Sequence, residues 1–290
     1  MGKIIDGRAL AEKIKDEIVK EIVEANGLKA KKNNPIFISN RPDLAIILIG
    51  EREDSKLYVS LKEKEAVKIG IDTHLYKCTA DIKEKEILET IDCLNKDETI
   101  NGILVQLPLP EGFDTDKIIR AIDPAKDVDG FHPENTKALM SGCDSHFIMP
   151  PVHGTILEIL KSLDYDPEGK TACLVVNSEV FGKSLAKVLE CRGAKIKIAK
   201  ASDKDLSKKT SSADVLVTAV GQPGLIKASM VKKDAIVIDV GITKVDKKVL
   251  GDVDFASVIE KASYLTPVPG GVGPLTIAML FKNTLALYKK

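Results

Sequence analysis

Apolar residues fall at helical spacing from the start of the chain: Ile14, Ile18 and Ile22 recur every four positions after Asp6, and Gly27 stands where such a helix would stop. The stretch that follows, residues 29–42, is polar, basic and bounded by proline, the pattern of a surface loop. Two patterns then alternate. Residues 44–48 are a continuous apolar run of strand length, 55–69 carry a helical stripe, 82–94 place Ile87, Ile91 and Leu94 in helical register, and 103–105 form a short strand that runs into the turn LPLPEG. After Pro150 and Pro151 the alternation resumes, with helices over 154–163 and 183–192 and strands over 172–176, 194–199, 215–219 and 235–240. The last two strands run into Gly221 and Gly241. Strands joined by helices predict parallel sheets, so the expected class is α/β with two lobes joined near residues 145–152. Ligands collect at the C-terminal ends of parallel strands, which makes the two glycines the expected cofactor edge of a Rossmann-like, doubly wound second lobe.

A chain of 290 residues with 44% apolar content fills two cores. Its 43 basic and 43 acidic side chains cancel, leaving no long-range field to draw nucleic acid or an acidic membrane surface. The N-terminus is charged throughout and no apolar run is long enough to span a bilayer, so the expectation is a soluble cytoplasmic protein. Five cysteines, odd in number, widely separated and never in CxxC spacing, predict reduced thiols, with neither a disulfide framework nor a metal site.

Three segments carry groups suited to chemistry. In TPVPGGVGPLT, residues 266–276, prolines stiffen the approach, glycines permit close contact with a flat ligand, and Pro274 suits the first turn of a helix. A tight interdomain turn would use the same residues. On the helix after Glu53, the positions Ser55, Tyr58, Lys62, Ala66 and Ile69 share one stripe. A lysine there loses hydration, which lowers its pKa and suits it to carry a proton; a snorkelling lysine beside a packed tyrosine gives the same pattern. Gln106 ends a strand and can hold an amine or a substrate, or stand as a solvated turn residue. In DPAKDVDGFHPEN, residues 123–135, three carboxylates precede Gly130 without apolar periodicity, which predicts a loop; a calcium loop's twelfth-position Glu is missing, and binding the donor groups of a heterocycle suits one of the carboxylates better.

Taken in order, EREDSKLYVSLKEKEAVKIGI, GILVQLPLP, DPAKDVDGFHPEN, TAVGQPGLI, VIDVGI, GDVDF and TPVPGGVGPLT resemble the bifunctional methylenetetrahydrofolate dehydrogenase/methenyltetrahydrofolate cyclohydrolase family, over nearly the whole chain from IIDGRALA onward. The resemblance implies a folate-binding catalytic domain of residues 1–147, completed by 274–290, and an NAD(P)-binding domain of residues 148–273, with the active site in the cleft between them. It implies Lys62, Tyr58, Gln106 and Asp129 as catalytic residues, with Tyr58, Asp129, Pro269, Gly270, Gly271, Gly273 and Pro274 at the folate. Asn177, Ser178, Gly182, Lys200, Gly221, Gly241, Ile242 and Thr276 are the implied contacts of NADP or NAD. Tetrahydrofolate derivatives are the implied ligands and a homodimer the implied assembly.

The chain departs from this family mainly in the dinucleotide turn. The family tends to read VVGRSxxVGxP where VVNSEVFGKS stands here, so Val176 replaces a glycine, Asn177 an arginine and Ser184 a proline. The strand end IAKAS, residues 198–202, replaces a Cys-His-Ser run, and MPPV, residues 149–152, replaces PCTP before His153. A β-branched residue at 176 is expected to hinder close backbone approach, and Asn177 has no charge for a 2′-phosphate, leaving Lys183 or Lys200 for that task. The resemblance therefore implies a bifunctional enzyme first, with a cyclohydrolase-dominant enzyme or a non-enzymatic folate-binding protein as alternatives.

Overall fold

The computed structural model describes residues 1–27, 40–143, 148–246 and 248–290, so the basic loop expected at 29–42 falls largely outside the described residues. A short strand, β1 (Lys3–Ile4), precedes α1 (Gly7–Ala25), which buries Ile14, Ile18 and Ile22 as their spacing predicts. Asp6 starts the helix: its Oδ1 accepts the N–H groups of Arg8 and Ala9 at 3.0 Å, satisfying donors that no earlier turn can reach.

The next elements are β2 (Asp43–Ile49), α2 (Glu53–Ile69), β3 (Asp72–Cys78), α3 (Glu84–Lys96), β4 (Gly102–Val105) and α4 (Thr115–Ala121). The strands form a parallel sheet in the order β3-β2-β4. Central β2 is buried along nearly its whole length and reads as an unbroken apolar run, whereas β3 is an edge of exposed and half-covered residues that the apolar pattern did not reveal. Ile87, Ile91 and Leu94 of α3 join Ile47, Ile103 and Ile118 in one core. The loop expected over 123–135 is shorter than that, because its last residues already open α5 (Pro133–Ser141); proline fits a first helical turn.

The remaining elements are α6 (Pro151–Ser162), β5 (Thr171–Val176), α7 (Glu179–Glu190), β6 (Lys195–Ala199), α8 (Leu206–Thr210), β7 (Val215–Ala219), β8 (Ile236–Asp239), the hairpin β9 (Thr243–Val245) and β10 (Lys248–Leu250), α9 (Phe255–Val258), β11 (Tyr264–Leu265) and α10 (Val272–Tyr288). Here the parallel order is β1-β11-β8-β7-β5-β6. The chain leaves β5 for β6 on one side and returns to β7 on the other, so strand order reverses between β5 and β7, the switch point of a Rossmann-type sheet.

The chain forms two compact units: residues 1–12, 139–145 and 152–276, which hold the six-stranded sheet, and residues 13–138, 146–151 and 277–290, which hold the three-stranded one. The N-terminal residues group with the larger sheet, and not with residues 13–138, because β1 pairs with β11. One expectation is corrected. Cys143 and Cys191 form a disulfide with Cα atoms 5.2 Å apart, while Cys78, Cys93 and Cys173 are free. The two partners stand 48 residues apart, one just past α5 and one at the C-terminal cap of α7, so tertiary folding rather than a spacing motif brings them together. Among the described residues no helix is long and apolar enough to cross a membrane, and no group of three or more His, Cys, Asp or Glu is placed to hold a metal.

The segments IIDG and TPVPGG meet through bare backbone: a Cβ on Gly7 would lie 1.8 Å from the Gly271 carbonyl oxygen. Gly7→Ala should therefore cost about 1–3 kcal/mol in denaturant unfolding, as overpacking against backbone does. Gly273→Ala is the contrast, since an added methyl there meets nothing within 4 Å. It should leave stability unchanged or raise it by up to about 1 kcal/mol through helix propensity. Equal losses in the two variants would show that the contact at Gly7 is not what limits the site.

Candidate active site

The helical stripe on α2 exists as its spacing predicts: Ser55, Ala66 and Ile69 are buried, and Tyr58 and Lys62 are partly buried beside them. Lys62 Nζ donates to Gln106 Oε1 at 2.8 Å. Gln106 stands just past the end of β4, and its Nε2 donates to the Leu107 carbonyl at 2.6 Å, which fixes the amide with its oxygen toward the lysine. Burial lowers the pKa of Lys62, opposed by the negative charge of Asp129. The Tyr58 hydroxyl is pushed up, by burial first and then by Asp54.

Asp129 belongs to a loop that a neighbouring carboxylate organises. Buried Asp127 accepts from the N–H groups of Gly130 at 3.0 Å and His132 at 2.7 Å, and from Asn135 Nδ2 at 3.0 Å. Ile103 of β4 donates to the Lys126 carbonyl at 2.7 Å, which docks the loop on the strand leading to Gln106. From α10, Asn283 Nδ2 donates to the carbonyls of Val128 and Met149, both at 2.8 Å. Gly130 has φ of +66° and its backbone packs on residues 148–150, so no side chain fits there. Asp129 is thus free of loop duty. Its carboxyl is pushed up to about 6, by burial first, with Lys62 opposing and Asp127 adding. Lys62, Gln106 and Asp129 form a polar cluster, with Tyr58 one turn before the lysine. Ser55 is a member that residue-type reasoning missed as a site residue. Its hydroxyl is buried with no hydrogen-bond partner, two helical turns before Lys62 on the same stripe. A small polar residue on a buried stripe was the available signal.

The other implied residues lie in the unit with the larger sheet. Ser178 caps α7, accepting from Phe181 N at 3.3 Å, and so presents the helix N-terminus at the end of β5, where phosphate groups find unpaired N–H donors. The Val176 side chain is buried against α7: a Cβ on Gly182 would lie 2.7 Å from Val176 Cγ2. The expected obstruction at 176 is therefore directed at the helix, where Gly182 makes room. Asn177 Nδ2 donates to the Val220 carbonyl at 2.8 Å, tying the loop after β5 to the loop after β7. Lys183 is paired with Glu179 at 2.5 Å, and Lys200 is exposed, its N–H donating to Asp203. Gly221 has φ of +70°, and a Cβ there would lie 3.8 Å from Thr243 Oγ1; Ile242 is 48% exposed; the Thr276 hydroxyl is spent on the Val272 carbonyl. Within 269–274, Gly270 has φ of +105° and Gly271 abuts the Pro267 carbonyl, so those two glycines close the turn and only Gly273 faces open space. Strand ends, capped helix and glycine turns fit a dinucleotide.

Two of the departures meet. His153 Nε2 lies 2.8 Å from Ser184 Oγ, which reaches the Val180 carbonyl at 2.9 Å. Burial pulls the imidazole down to about 3, so it is neutral. A serine in place of proline thus gains a hydrogen-bonded anchor between α6 and α7.

Two family profiles match the chain: "Tetrahydrofolate dehydrogenase/cyclohydrolase, catalytic domain" over residues 5–129, and "Tetrahydrofolate dehydrogenase/cyclohydrolase, NAD(P)-binding domain" over residues 150–290. The chain is 47% identical to the bifunctional protein FolD of a Nitratiruptor species, covering 99% of this chain and 98% of that one. It is similar to the crystal structure of the bifunctional enzyme FolD, methylenetetrahydrofolate dehydrogenase/cyclohydrolase, from Campylobacter jejuni, with TM-score 0.91, 39% identity and coverage of 100% and 99%. The Trypanosoma brucei enzyme complexed with NADP cofactor and inhibitor gives TM-score 0.91 at 31% identity, covering 99% and 97%.

Asp129 carries a signature in stability. Its value rises from 3.8 to about 6 on folding, so its contribution is most favourable below pH 3.8 and is lost as pH rises through about 6. Asparagine mimics the protonated form. Asp129→Asn should therefore be more stable than the parent at pH 7.5, by on the order of 1–3 kcal/mol. The gap should close as pH falls toward 4. Thermal melts across that range measure it, and a gap independent of pH would overturn the assignment.

Proposed function

The chain belongs to the tetrahydrofolate dehydrogenase/cyclohydrolase family, and from that premise we propose how its residues divide the work. The protein is a bifunctional enzyme of one-carbon metabolism: it oxidises 5,10-methylenetetrahydrofolate to the 5,10-methenyl form with NAD(P)+ and hydrolyses that product to 10-formyltetrahydrofolate. The bound dinucleotide supplies the hydride acceptor, and Ser178, Gly182, Gly221, Gly241 and Ile242 are the residues that would hold it, with Asn177 closing the loop beside them. In the hydrolytic half, water adds to the methenyl carbon and gives up a proton. Lys62, as the neutral amine that burial favours, takes this proton and returns it to the folate nitrogen as its bond to the one-carbon unit breaks, and the remaining hydroxyl proton is lost to solvent as the formyl C=O forms. The hydrogen bond from Lys62 to Gln106 carries this reading, because it aims the amine while leaving it uncharged by any direct ion pair. Asp129 holds the donor groups of the pterin, and Tyr58 borders the substrate. We also propose a cytoplasmic homodimer without a nucleic-acid or membrane partner; the balance of 43 basic and 43 acidic side chains supports excluding nucleic acid, and sedimentation measures the dimer.

Cofactor preference follows from the same residues. With Asn177 bonded to Val220 and Lys183 paired with Glu179, Lys200, just past the end of β6, is the one of the two candidate lysines left for a 2′-phosphate. A single exposed lysine holds a phosphate weakly compared with a bidentate arginine.

Lys62→Met should reduce methenyl-folate hydrolysis by at least about 100-fold, the usual worth of a proton carrier, while dinucleotide binding persists. Gln106→Ala should lose less. Hydrolysis at the parent rate in Lys62→Met would remove lysine from the mechanism. For the cofactor, kcat/KM for NAD and NADP should lie within about tenfold of each other, and Asn177→Arg should shift the ratio toward NADP by a bidentate contact. A parent enzyme strongly selective for NADP would instead place the clamp on Lys200.

A further inference from the structure

Behind the loops that follow β7 and β8 lie two carboxylates with no cation among their partners in the described residues. Asp239, 3% exposed at the end of β8, accepts from the N–H groups of Gly241 at 3.0 Å, Asp252 at 3.1 Å and Val253 at 2.9 Å. Asp252, fully buried, accepts from Thr218 Oγ1 at 2.9 Å and from the N–H groups of Val220 at 2.7 Å and Gln222 at 2.8 Å. The chain presses on both carboxylates at two glycines: a Cβ on Gly241 would lie 2.2 Å from Asp252 Cγ, and one on Gly251 would lie 2.1 Å from Asp239 Oδ2. Six donors satisfy the oxygens, yet hydrogen bonds from N–H dipoles do not cancel net charge. Two like charges buried side by side cost stability, as the rise of Asp239 to about 6 through burial and through Asp252 indicates.

Neutral acceptors would tie loops without that cost, so the charge itself calls for a use. In a Rossmann-type sheet the β7 and β8 side of the switch point is the nicotinamide half of the dinucleotide site. The oxidised nicotinamide ring is a cation and the reduced ring is neutral. We propose that Asp239 and Asp252 are positioning residues for the dinucleotide rim whose buried negative charge favours the oxidised over the reduced cofactor, drawing the reaction's hydride acceptor into the site and easing release of its product. The proposal rests on the reading that this chain uses NAD(P), and fields of fixed buried charge act strongly across a dry rim.

The test is the ratio of affinities for the oxidised and reduced dinucleotide, titrated on the purified full chain without folate. Asp252→Asn can keep its oxygen toward Thr218 and Val220, losing one hydrogen bond and the charge. It should lower the oxidised-to-reduced affinity ratio at least fivefold, while methenyl-folate hydrolysis stays within twofold of the parent. Thr218→Val removes a donor but no charge, and should leave the ratio unchanged even if both affinities fall. Should the Asp252 variant not fold, the parent answers by pH. The groups facing Asp239 are Asp252 and, across a cavity of about 460 Å³, Asp254, while β7 and the end of β11 present Thr218 and Thr266, which do not titrate. Protonation of Asp239 near pH 6 should then reduce the ratio between pH 8 and 5.5; phosphates common to both forms cancel. Equal weakening of both forms in Asp252→Asn, or a ratio flat with pH, overturns the proposal. A parent that binds neither form overturns the dinucleotide reading as well, whereas a parent that binds both with an insensitive ratio overturns this inference alone.

Discussion

Lys62 holds an amine against Gln106 in a place where burial works against its charge, and much of what surrounds it follows from that opposition. A lysine amine in bulk water is almost wholly protonated at neutral pH and so cannot take a proton; stripped of water, the ammonium releases its proton more readily. A direct ion pair would undo the effect, which is why the partner at 2.8 Å is an amide. Asp129 acts on the lysine through space and is itself pushed up to about 6 by burial, so each group sustains the charge of the other against a burial that disfavours both. The structural burden of the loop falls on Asp127, whose two oxygens take three donors. Separating the carboxylate that builds the loop from the carboxylate beside Lys62 lets the second keep a perturbed pKa without loosening the backbone.

The same economy of donors governs the unit with the larger sheet. Loops beyond parallel strand ends carry backbone N–H groups that the sheet cannot satisfy. Asp239 and Asp252 collect six of those and neighbouring donors between them, and glycines at 241 and 251 let the carboxylates touch the chain directly. Glycine serves two further purposes. Gly270 reaches a φ that other residues avoid, and Gly7 and Gly271 allow two backbones to meet where any side chain would collide.

Substitutions that look damaging in isolation are answered by their neighbours. Val176 turns its side chain into α7 where Gly182 has none, Asn177 bonds the Val220 carbonyl, and Ser184 finds neutral His153. A dinucleotide turn is defined by where its backbone lies, and these pairs hold the backbone by different contacts from a glycine, an arginine and a proline. Reading each change alone overstates the loss.

Periodicity in the sequence determined the α/β class, the burial of Ile14, Ile18 and Ile22, the core face of α3, and the stripe that carries Tyr58 and Lys62, because helical and strand spacing are local properties of the chain. Order and spacing of the motifs determined the family. Edge strand β3 escaped, since exposed and half-covered residues leave no apolar run, and β1 and β11 are two residues each, too short for any pattern. Only tertiary structure decided that Cys143 meets Cys191, that β1 pairs with β11, that Gln106 takes the Lys62 amine, and that His153 reaches Ser184. Each of these joins residues 31 to 261 positions apart, and a contact at such range depends on how the intervening elements pack, which no local pattern of residues encodes.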